Sequence, residues 1–278
     1  MIEILKAIVF GIVEGITEWL PISSTGHMIL LNEFLTLNVS KEFWDMFLVV
    51  IQLGAILAVV LLFWKQIWPF GIEGGKPKIH TNIIINWCKI VVACLPAIIF
   101  VVLGLDDVCD SYFYNPVCVA IALIVFGVAF ILVENRNAGK QAVAASMEDI
   151  TWKMAALIGV FQLLAAAFPG TSRSGATILG AMLIGVARTP AAEFSFFLSV
   201  PVMFGASFLK LIKFGFAFTG PQLFYLLLGM VIAYIVSVYC INFLMRYIRK
   251  NSFVIFGYYR IGLGIIVLIW FAISALLH

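Results

Sequence analysis

Six long apolar segments constrain the fold of this chain more than any other feature of its sequence. They cover residues 43–64, 86–105, 115–133, 190–213, 222–245 and 254–276. An α-helix of about 20 apolar residues crosses a hydrocarbon core about 30 Å thick, and lipid tolerates only backbone that is hydrogen-bonded within the protein. The sequence therefore predicts an all-α polytopic membrane protein with six spanning helices.

The composition supports the same class of protein. Hydrophobic residues make up 64% of the chain and charged residues 11%, against about 45–50% and about 25% in soluble domains. The net charge of +3 does not indicate a nucleic-acid partner, because Lys and Arg fall mainly between the apolar segments. We expect membrane lipid as a partner and no nucleic acid.

Two further apolar regions, 2–35 and 152–187, are interrupted by Pro21 and by Pro169-Gly170. Each arm is only about 15–25 Å long as a helix, which is too short to cross comfortably. We predict two re-entrant helical hairpins with irregular tips. Irregular backbone at membrane depth must face protein or a wet cavity, so both tips are candidate walls of a functional site.

The order of elements occurs twice: one hairpin and three spans, then one hairpin and three spans. Because three spans invert the second copy, the order predicts an inverted-topology repeat. We expect one membrane-embedded domain over 1–278, with repeat 1 at about 1–134 and repeat 2 at about 150–278. An offset of 148 aligns Gly11 with Gly159, Glu14 with Gln162, Pro21 with Pro169 and Ser24 with Ser172.

The charged connections predict the orientation. Alternating spans put most basic connections on one side and Asp106, Asp107 and Asp110 on the other, while Lys210 and Lys213 are exceptions. The basic side is expected to be cytoplasmic. The two hairpins would then enter from opposite sides, with tips meeting near the midplane and a site opening to the extracytoplasmic side.

Glu14 and Glu18 lie four residues apart, which places both carboxylates on one helix face. A charge at the bilayer centre costs at least about 2.5–3.5 kcal/mol, so the pair needs a cation, a shared proton or water. One interpretation has both side chains solvated at the interface. The other makes them ligands of a divalent cation or an acid/base pair.

The first tip, Pro21 to His27, carries three consecutive hydroxyl residues before a glycine and a histidine. If Ser24 and His27 are both helical, the imidazole can reach the hydroxyl as in a base-activated nucleophile. We predict Ser24, His27 and Glu18 as catalytic residues, although His27 could instead be a satisfied structural polar group. The predicted substrate-binding residues of this tip are Ser23, Thr25 and Gly26.

The second tip, Pro169 to Gly175, opens another helix, whose free N–H groups favour an anion. Arg173 adds a planar charged fork that matches phosphate oxygens, and we predict it as a catalytic residue. The alternative is that Arg173 simply pairs with Glu14 or Glu18. The predicted substrate-binding residues of this tip are Thr171, Ser172, Ser174 and Gly175.

Together, the anion site, the cation site and the nucleophile predict phosphoryl transfer on a lipid phosphate. A carrier that flips a lipid phosphate across the bilayer is the alternative function, suggested by the inverted repeat. A structural membrane protein without a ligand is a third interpretation.

Several stretches carry a resemblance that covers nearly the whole chain. They are EGITEWLPISSTGH at 14–27, IQLGAILAVV at 51–60, PGTSRSGAT at 169–177, AAEFSFFLSVP at 191–201 and YYR at 258–260. In these stretches the chain resembles the bacitracin-resistance family of bacterial undecaprenyl-pyrophosphate phosphatases.

The resemblance implies an enzyme that removes the terminal phosphate of undecaprenyl pyrophosphate, with Mg2+ or Ca2+ assisting, and so recycles the lipid carrier of peptidoglycan synthesis. The family's glutamate pair falls on Glu14 and Glu18, its Ser and His on Ser24 and His27, and its essential arginine on Arg173. The resemblance also implies the bacterial cytoplasmic membrane and bacitracin resistance, because bacitracin sequesters the same substrate. Two questions stay open: whether His27 rather than Ser24 is the nucleophile, and whether the chain forms a homodimer.

Overall fold

The computed structural model describes residues 2–73 and 76–277, which form thirteen helices and one short β-hairpin. The helices are α1 (Ile2–Thr17), α2 (Ser24–Phe34), α3 (Lys41–Val50), α4 (Gln52–Leu62), α5 (Trp64–Ile67), α6 (Thr81–Val102), α7 (Leu105–Phe113), α8 (Pro116–Asn137), α9 (Trp152–Ala167), α10 (Arg173–Leu183), α11 (Arg188–Phe214), α12 (Gly220–Ile248) and α13 (Val254–Leu277). The strands are β1 (Phe70–Glu73) and β2 (Lys76–Ile79).

Six stretches of helix within the described residues are long and apolar enough to cross a membrane, which confirms the predicted all-α polytopic class. They are α3 and α4 together, α6, α8, α11, α12 and the part of α13 up to Ser274. Helices α11 and α12 extend beyond the predicted segments 190–213 and 222–245, because polar residues continue a helix past its apolar core. Helices α4 and α6 end at Leu62 and Val102, before the predicted ends at 64 and 105. The β-hairpin was not predicted from the sequence.

The two interrupted regions fold into matching helix pairs. Helices α1 and α9 have 16 residues each, and α2 and α10 have 11 each. At about 1.5 Å per residue these arms are about 24 Å and about 17 Å long, shorter than a bilayer core of about 30 Å. These lengths suit re-entrant hairpins, whose depth in the bilayer stays a prediction.

The two halves pack against each other reciprocally. Helix α1 packs on α12 and α9 on α6, α4 packs on α12 and α11 on α6, and α8 pairs with α13. A two-fold relation between the halves would produce this pattern, and the inverted repeat itself stays a prediction.

Glycines allow packed helices to cross with their backbones close together. A Cβ on Gly127 of α8 would lie 2.7 Å from the carbonyl oxygen of Gly257 on α13, and the reverse holds at the same distance. Likewise, a Cβ on Gly11 would meet the carbonyl oxygen of Gly229 at 2.7 Å. Small residues thus let the backbones touch, which is how helices associate in lipid.

Candidate active site

Ser23 and Ser172 shape the two tips in the same way. They are the two non-glycine residues with positive φ in the described part of the chain, at 76° and 71°. Each Oγ accepts a hydrogen bond of 3.2 Å, from the N–H of Gly26 and of Gly175 respectively. A serine held at positive φ costs on the order of 1–3 kcal/mol, so the surrounding structure must hold both turns in place.

These caps correct the alignment of the repeats at the tips. Ser23 corresponds to Ser172, so the predicted match of Ser24 with Ser172 is wrong by one residue. The physical reason is length: the second tip has one more residue between its proline and its capping serine. Ser24 and Arg173 therefore occupy equivalent positions, each as the first residue of a helix.

Glu18 is the point at which the two tips meet. Its Oε2 accepts a hydrogen bond of 2.7 Å from Ser24 Oγ, and its Oε1 accepts one of 2.7 Å from Arg173 Nη2. Ser174 Oγ also donates to the Glu18 carbonyl oxygen at 3.1 Å. The side chains of Glu18 and Arg173 are only 8% and 14% exposed, so this ion pair is sheltered from bulk solvent. Arg173 therefore pairs with a glutamate of the first hairpin, as the alternative interpretation of the sequence expected.

Glu14 lies one helical turn before Glu18 and is 1% exposed. Its carboxyl is next to that of Glu18 and within Coulombic reach of Arg173, and its Oε1 has no hydrogen-bond partner. This burial contradicts the interpretation that both glutamates are solvated at an interface. Among the described residues, no group of three or more His, Cys, Asp or Glu side chains is placed so that it could hold a metal ion. A cation would therefore have two carboxylates here, a set that suits Mg2+ completed by water and phosphate.

His27 does not form a hydrogen bond with the Ser24 hydroxyl, so the Ser24–His27 pair predicted from the sequence is not formed in this structure. Its Nδ1 lies 2.7 Å from the Ser23 carbonyl oxygen, and its Nε2 lies 2.7 Å from the Tyr259 hydroxyl. Because a carbonyl only accepts, Nδ1 carries the proton, and in a neutral ring Nε2 then accepts from Tyr259. The rings also stack, with centroids 5.6 Å apart and planes at 6°. The Ser24 side chain turns to Glu18 instead, where a carboxylate is the stronger acceptor.

Arg260, to which the sequence analysis assigned no role, joins the two tips. It is fully buried and donates to the carbonyl oxygens of Pro21 at 3.2 Å, Gly170 at 3.0 Å and Thr171 at 2.8 Å. One planar guanidinium thus bonds to backbone from both tips. An arginine within an apolar segment is costly in lipid, and that cost was the sequence signal for a role. Tyr259 was missed in the same way, since nothing local indicates its contact with His27.

The remaining predicted residues lie in the same tips. Gly26 and Gly175 donate the capping hydrogen bonds, Thr25 is partly buried, and Thr171 is fully buried with no partner for its Oγ1. Gln162, the expected counterpart of Glu14, is also buried with its whole amide unpaired. That these tip residues bind substrate stays a prediction.

Comparison with known proteins shows the family of this chain. The sequence model described as "Bacitracin resistance protein BacA" matches residues 7–266. Proteins named undecaprenyl-diphosphatase from Desulfitobacterium hafniense, Lachnoclostridium phytofermentans and Enterococcus faecalis are 60%, 58% and 56% identical to this chain. Each alignment covers 98% of this chain and 97%, 98% and 98% of the relative, respectively. This chain therefore belongs to the bacitracin resistance protein BacA family.

Proposed function

We propose that this chain is an undecaprenyl-diphosphatase. It hydrolyses undecaprenyl pyrophosphate to the monophosphate and inorganic phosphate, which recycles the peptidoglycan lipid carrier. The names of the relatives support this reaction. The observation in the structure that carries it is the buried Glu18 carboxylate, which holds a hydroxyl on one oxygen and a guanidinium on the other.

Ser24 is the proposed nucleophile. Its Oγ attacks the terminal phosphorus while its proton passes to Glu18 Oε2, 2.7 Å away. A bond forms between Oγ and phosphorus, and the bond between phosphorus and the bridging oxygen breaks, releasing undecaprenyl monophosphate. Water then attacks the phosphoserine, and Glu18 returns its proton to Ser24 Oγ as the bond between Oγ and phosphorus breaks. Inorganic phosphate leaves with both protons of the water.

Arg173 is the proposed ligand of the terminal phosphate. Its guanidinium exchanges the carboxylate of Glu18 for phosphoryl oxygens when substrate arrives, which also leaves Glu18 freer to accept a proton. The N-terminal ends of α2 and α10 add backbone N–H groups that favour an anion. Phosphoryl transfer depends mainly on this kind of positioning and charge stabilisation.

His27 is better suited to hold the first tip than to attack phosphorus. Its Nε2 lone pair accepts the Tyr259 hydroxyl, and its Nδ1 proton is held by the Ser23 carbonyl. We therefore assign His27 and Tyr259 as positioning residues for the turn that carries Ser24. An acid-labile phosphoryl label on His27 would overturn this assignment, whereas an acid-stable label on Ser24 supports it.

Glu14 and Glu18 are the proposed ligands of a divalent cation, Mg2+ or Ca2+. The fit rests on the buried, unpartnered Oε1 of Glu14 beside a second carboxylate. When bound, the ion would neutralise pyrophosphate charge that Arg173 alone cannot balance.

The chain is a multi-pass membrane protein. We place it in the bacterial cytoplasmic membrane with its site open to the extracytoplasmic side, as the basic connections predict. Bacitracin would then counter the enzyme by sequestering undecaprenyl pyrophosphate. We also propose that the chain forms a homodimer, which a measurement of its mass in detergent would test.

The test is phosphate release from undecaprenyl pyrophosphate by purified protein in detergent, with and without EDTA. We expect metal-dependent release that is lost in folded Ser24→Ala and Arg173→Ala variants. No release from folded wild-type protein would refute the proposal. Movement of prenyl phosphate across liposomes by Ser24→Ala would instead favour the flippase alternative.

A further inference from the structure

The β-hairpin that joins the α4–α5 segment to α6 is amphipathic. Phe70 pairs with Ile79, Ile72 with Pro77, and Gly71 with Lys78. Side chains alternate between the faces of a strand, and directly paired residues share a face. The residues of the apolar face are Phe70, Ile72, Pro77 and Ile79, and the opposite face carries Lys76 and Lys78.

The apolar face is exposed rather than packed on the protein. Ile72 is 83% exposed, and Phe70 and Ile79 are 55% and 57% exposed. The surface continues through Trp68, which meets Phe70 edge-on at 5.5 Å, to Trp64, which stacks on Trp68 at 5.0 Å. It therefore joins the end of the spanning helix at Leu62, where tryptophans typically mark the membrane–water interface.

Hydrogen bonds close the base of the hairpin and hold it next to α5 and α6. The His80 N–H donates to the Pro69 carbonyl oxygen at 2.8 Å, and the Trp87 indole N–H donates to the Ile67 carbonyl oxygen at 2.8 Å. An isolated two-stranded hairpin is at best marginally stable in water. Contact of its apolar face with lipid would supply the burial that the protein does not.

We propose that strands β1 and β2 form an interfacial membrane anchor that binds anionic phospholipid. The apolar face lies in the boundary between acyl chains and headgroups, next to the end of the α3–α4 span. Lys65 and Lys76, both exposed, and Lys78 then lie at the level of the phosphate groups. Basic residues beside an apolar surface are the usual signature of binding to an anionic leaflet.

Spin labels on the two faces test the placement. Ile72→Cys and Lys76→Cys are each labelled with a nitroxide in full-length protein whose five native cysteines are replaced, and are reconstituted in liposomes. We expect oxygen to relax the Ile72 label several-fold more strongly than a water-soluble nickel chelate does, and the reverse for Lys76. Phosphate release by each labelled protein verifies the fold.

Two outcomes of that experiment would overturn the proposal. Equal access of the nickel chelate to both labels would place the hairpin in water. Exclusion of both oxygen and the chelate from the Ile72 label would mean that protein, such as a second copy of the chain, covers the apolar face.

The lipid preference is tested by comparing phosphatidylcholine vesicles with vesicles that also contain phosphatidylglycerol. We expect the anionic lipid to move the Ile72 label deeper at low salt. The shift should disappear in Lys65→Gln/Lys76→Gln and persist in the matched control Lys140→Gln/Lys153→Gln, which removes two exposed charges that belong neither to the hairpin nor to α5. Identical depth in both lipids, or loss of the shift in the control, would refute binding of anionic lipid by this hairpin.

Discussion

Replacing Glu18 by Gln removes one charge from the centre of the proposed site while keeping the size of the side chain. Glu18 accepts from Ser24 through one oxygen and from Arg173 through the other. The amide has one acceptor oxygen in place of two, so when Arg173 donates to that oxygen, the Ser24 hydroxyl faces the amide N–H and accepts from it instead of donating. The variant also loses the group that accepts the Ser24 proton.

The size of each effect follows from these contacts. Loss of one hydrogen bond to a charged group, in a pair whose side chains are 8% and 14% exposed, destabilises the fold by about 1.5–3 kcal/mol. A positioned general base contributes about 10²–10⁴-fold to a rate. We therefore expect Glu18→Gln to fold, to unfold at a lower denaturant concentration, and to release phosphate about 10²–10⁴-fold more slowly.

Two control variants separate catalysis from stability and from metal binding. Glu134→Gln removes the buried carboxylate of another ion pair, formed with Arg188 at 2.6 Å, and should lose stability but keep the rate of the folded fraction. Glu14→Gln should lose affinity for the divalent cation, so a high concentration of Mg2+ should restore much of its activity. Excess Mg2+ should not restore Glu18→Gln, since its proton acceptor is gone.

The assay is phosphate release per mole of folded protein, measured across a series of Mg2+ concentrations, with denaturant unfolding of each variant. A Glu18→Gln protein that turns over at the wild-type rate would refute the role of Glu18 as proton acceptor. Full rescue of that variant by Mg2+ would reduce Glu18 to a metal ligand.

Three further predictions concern residues that support the site. Tyr259→Phe keeps the ring stack but loses one neutral hydrogen bond of about 0.5–1.5 kcal/mol, so the rate of phosphate release should fall about two- to tenfold. The control Tyr258→Phe, at an exposed position, should leave that rate unchanged. Arg260→Lys replaces a planar guanidinium fork by a compact ammonium with fewer donors, and should lower the free energy of unfolding in denaturant titration by about 1.5–3 kcal/mol for each hydrogen bond lost. Wild-type stability would contradict the joining role of Arg260. Gly127→Ala places a methyl group 2.7 Å from a facing carbonyl oxygen and should lower the free energy of unfolding by about 1–3 kcal/mol in the same titration. The control Gly205→Ala has open space around the new methyl group and should not lower the free energy of unfolding.

The two tips show why the site needs both halves of the chain. Each tip turns through a serine at positive φ and begins a helix directly after it. Ser24 and Arg173 are thereby presented from opposite halves to one carboxylate, and Arg260 holds the two backbones together. The proposed nucleophile and the proposed phosphate ligand thus come from different halves of the chain.

The hydrophobic pattern alone was sufficient to predict the spanning helices. Length and apolarity are local properties, and lipid leaves the backbone few alternatives to a helix, so each of the six predicted segments overlaps a helix that can span a membrane. Prolines at 21 and 169 predicted the two breaks because proline interrupts helical hydrogen bonding. The polar residues that sit at these breaks were therefore also found from the sequence.

The partners of those polar residues were decided only by the tertiary structure. Glu18 and Arg173 are 155 positions apart, and His27 and Tyr259 are 232 apart, so no local period relates them. Spacing along one helix suggested that His27 serves Ser24, but packing of α13 against the first tip gave the imidazole a different partner. Whether a segment is helical is decided by residues close to it in the chain. Which buried charges pair is decided by the distant helices that come into contact.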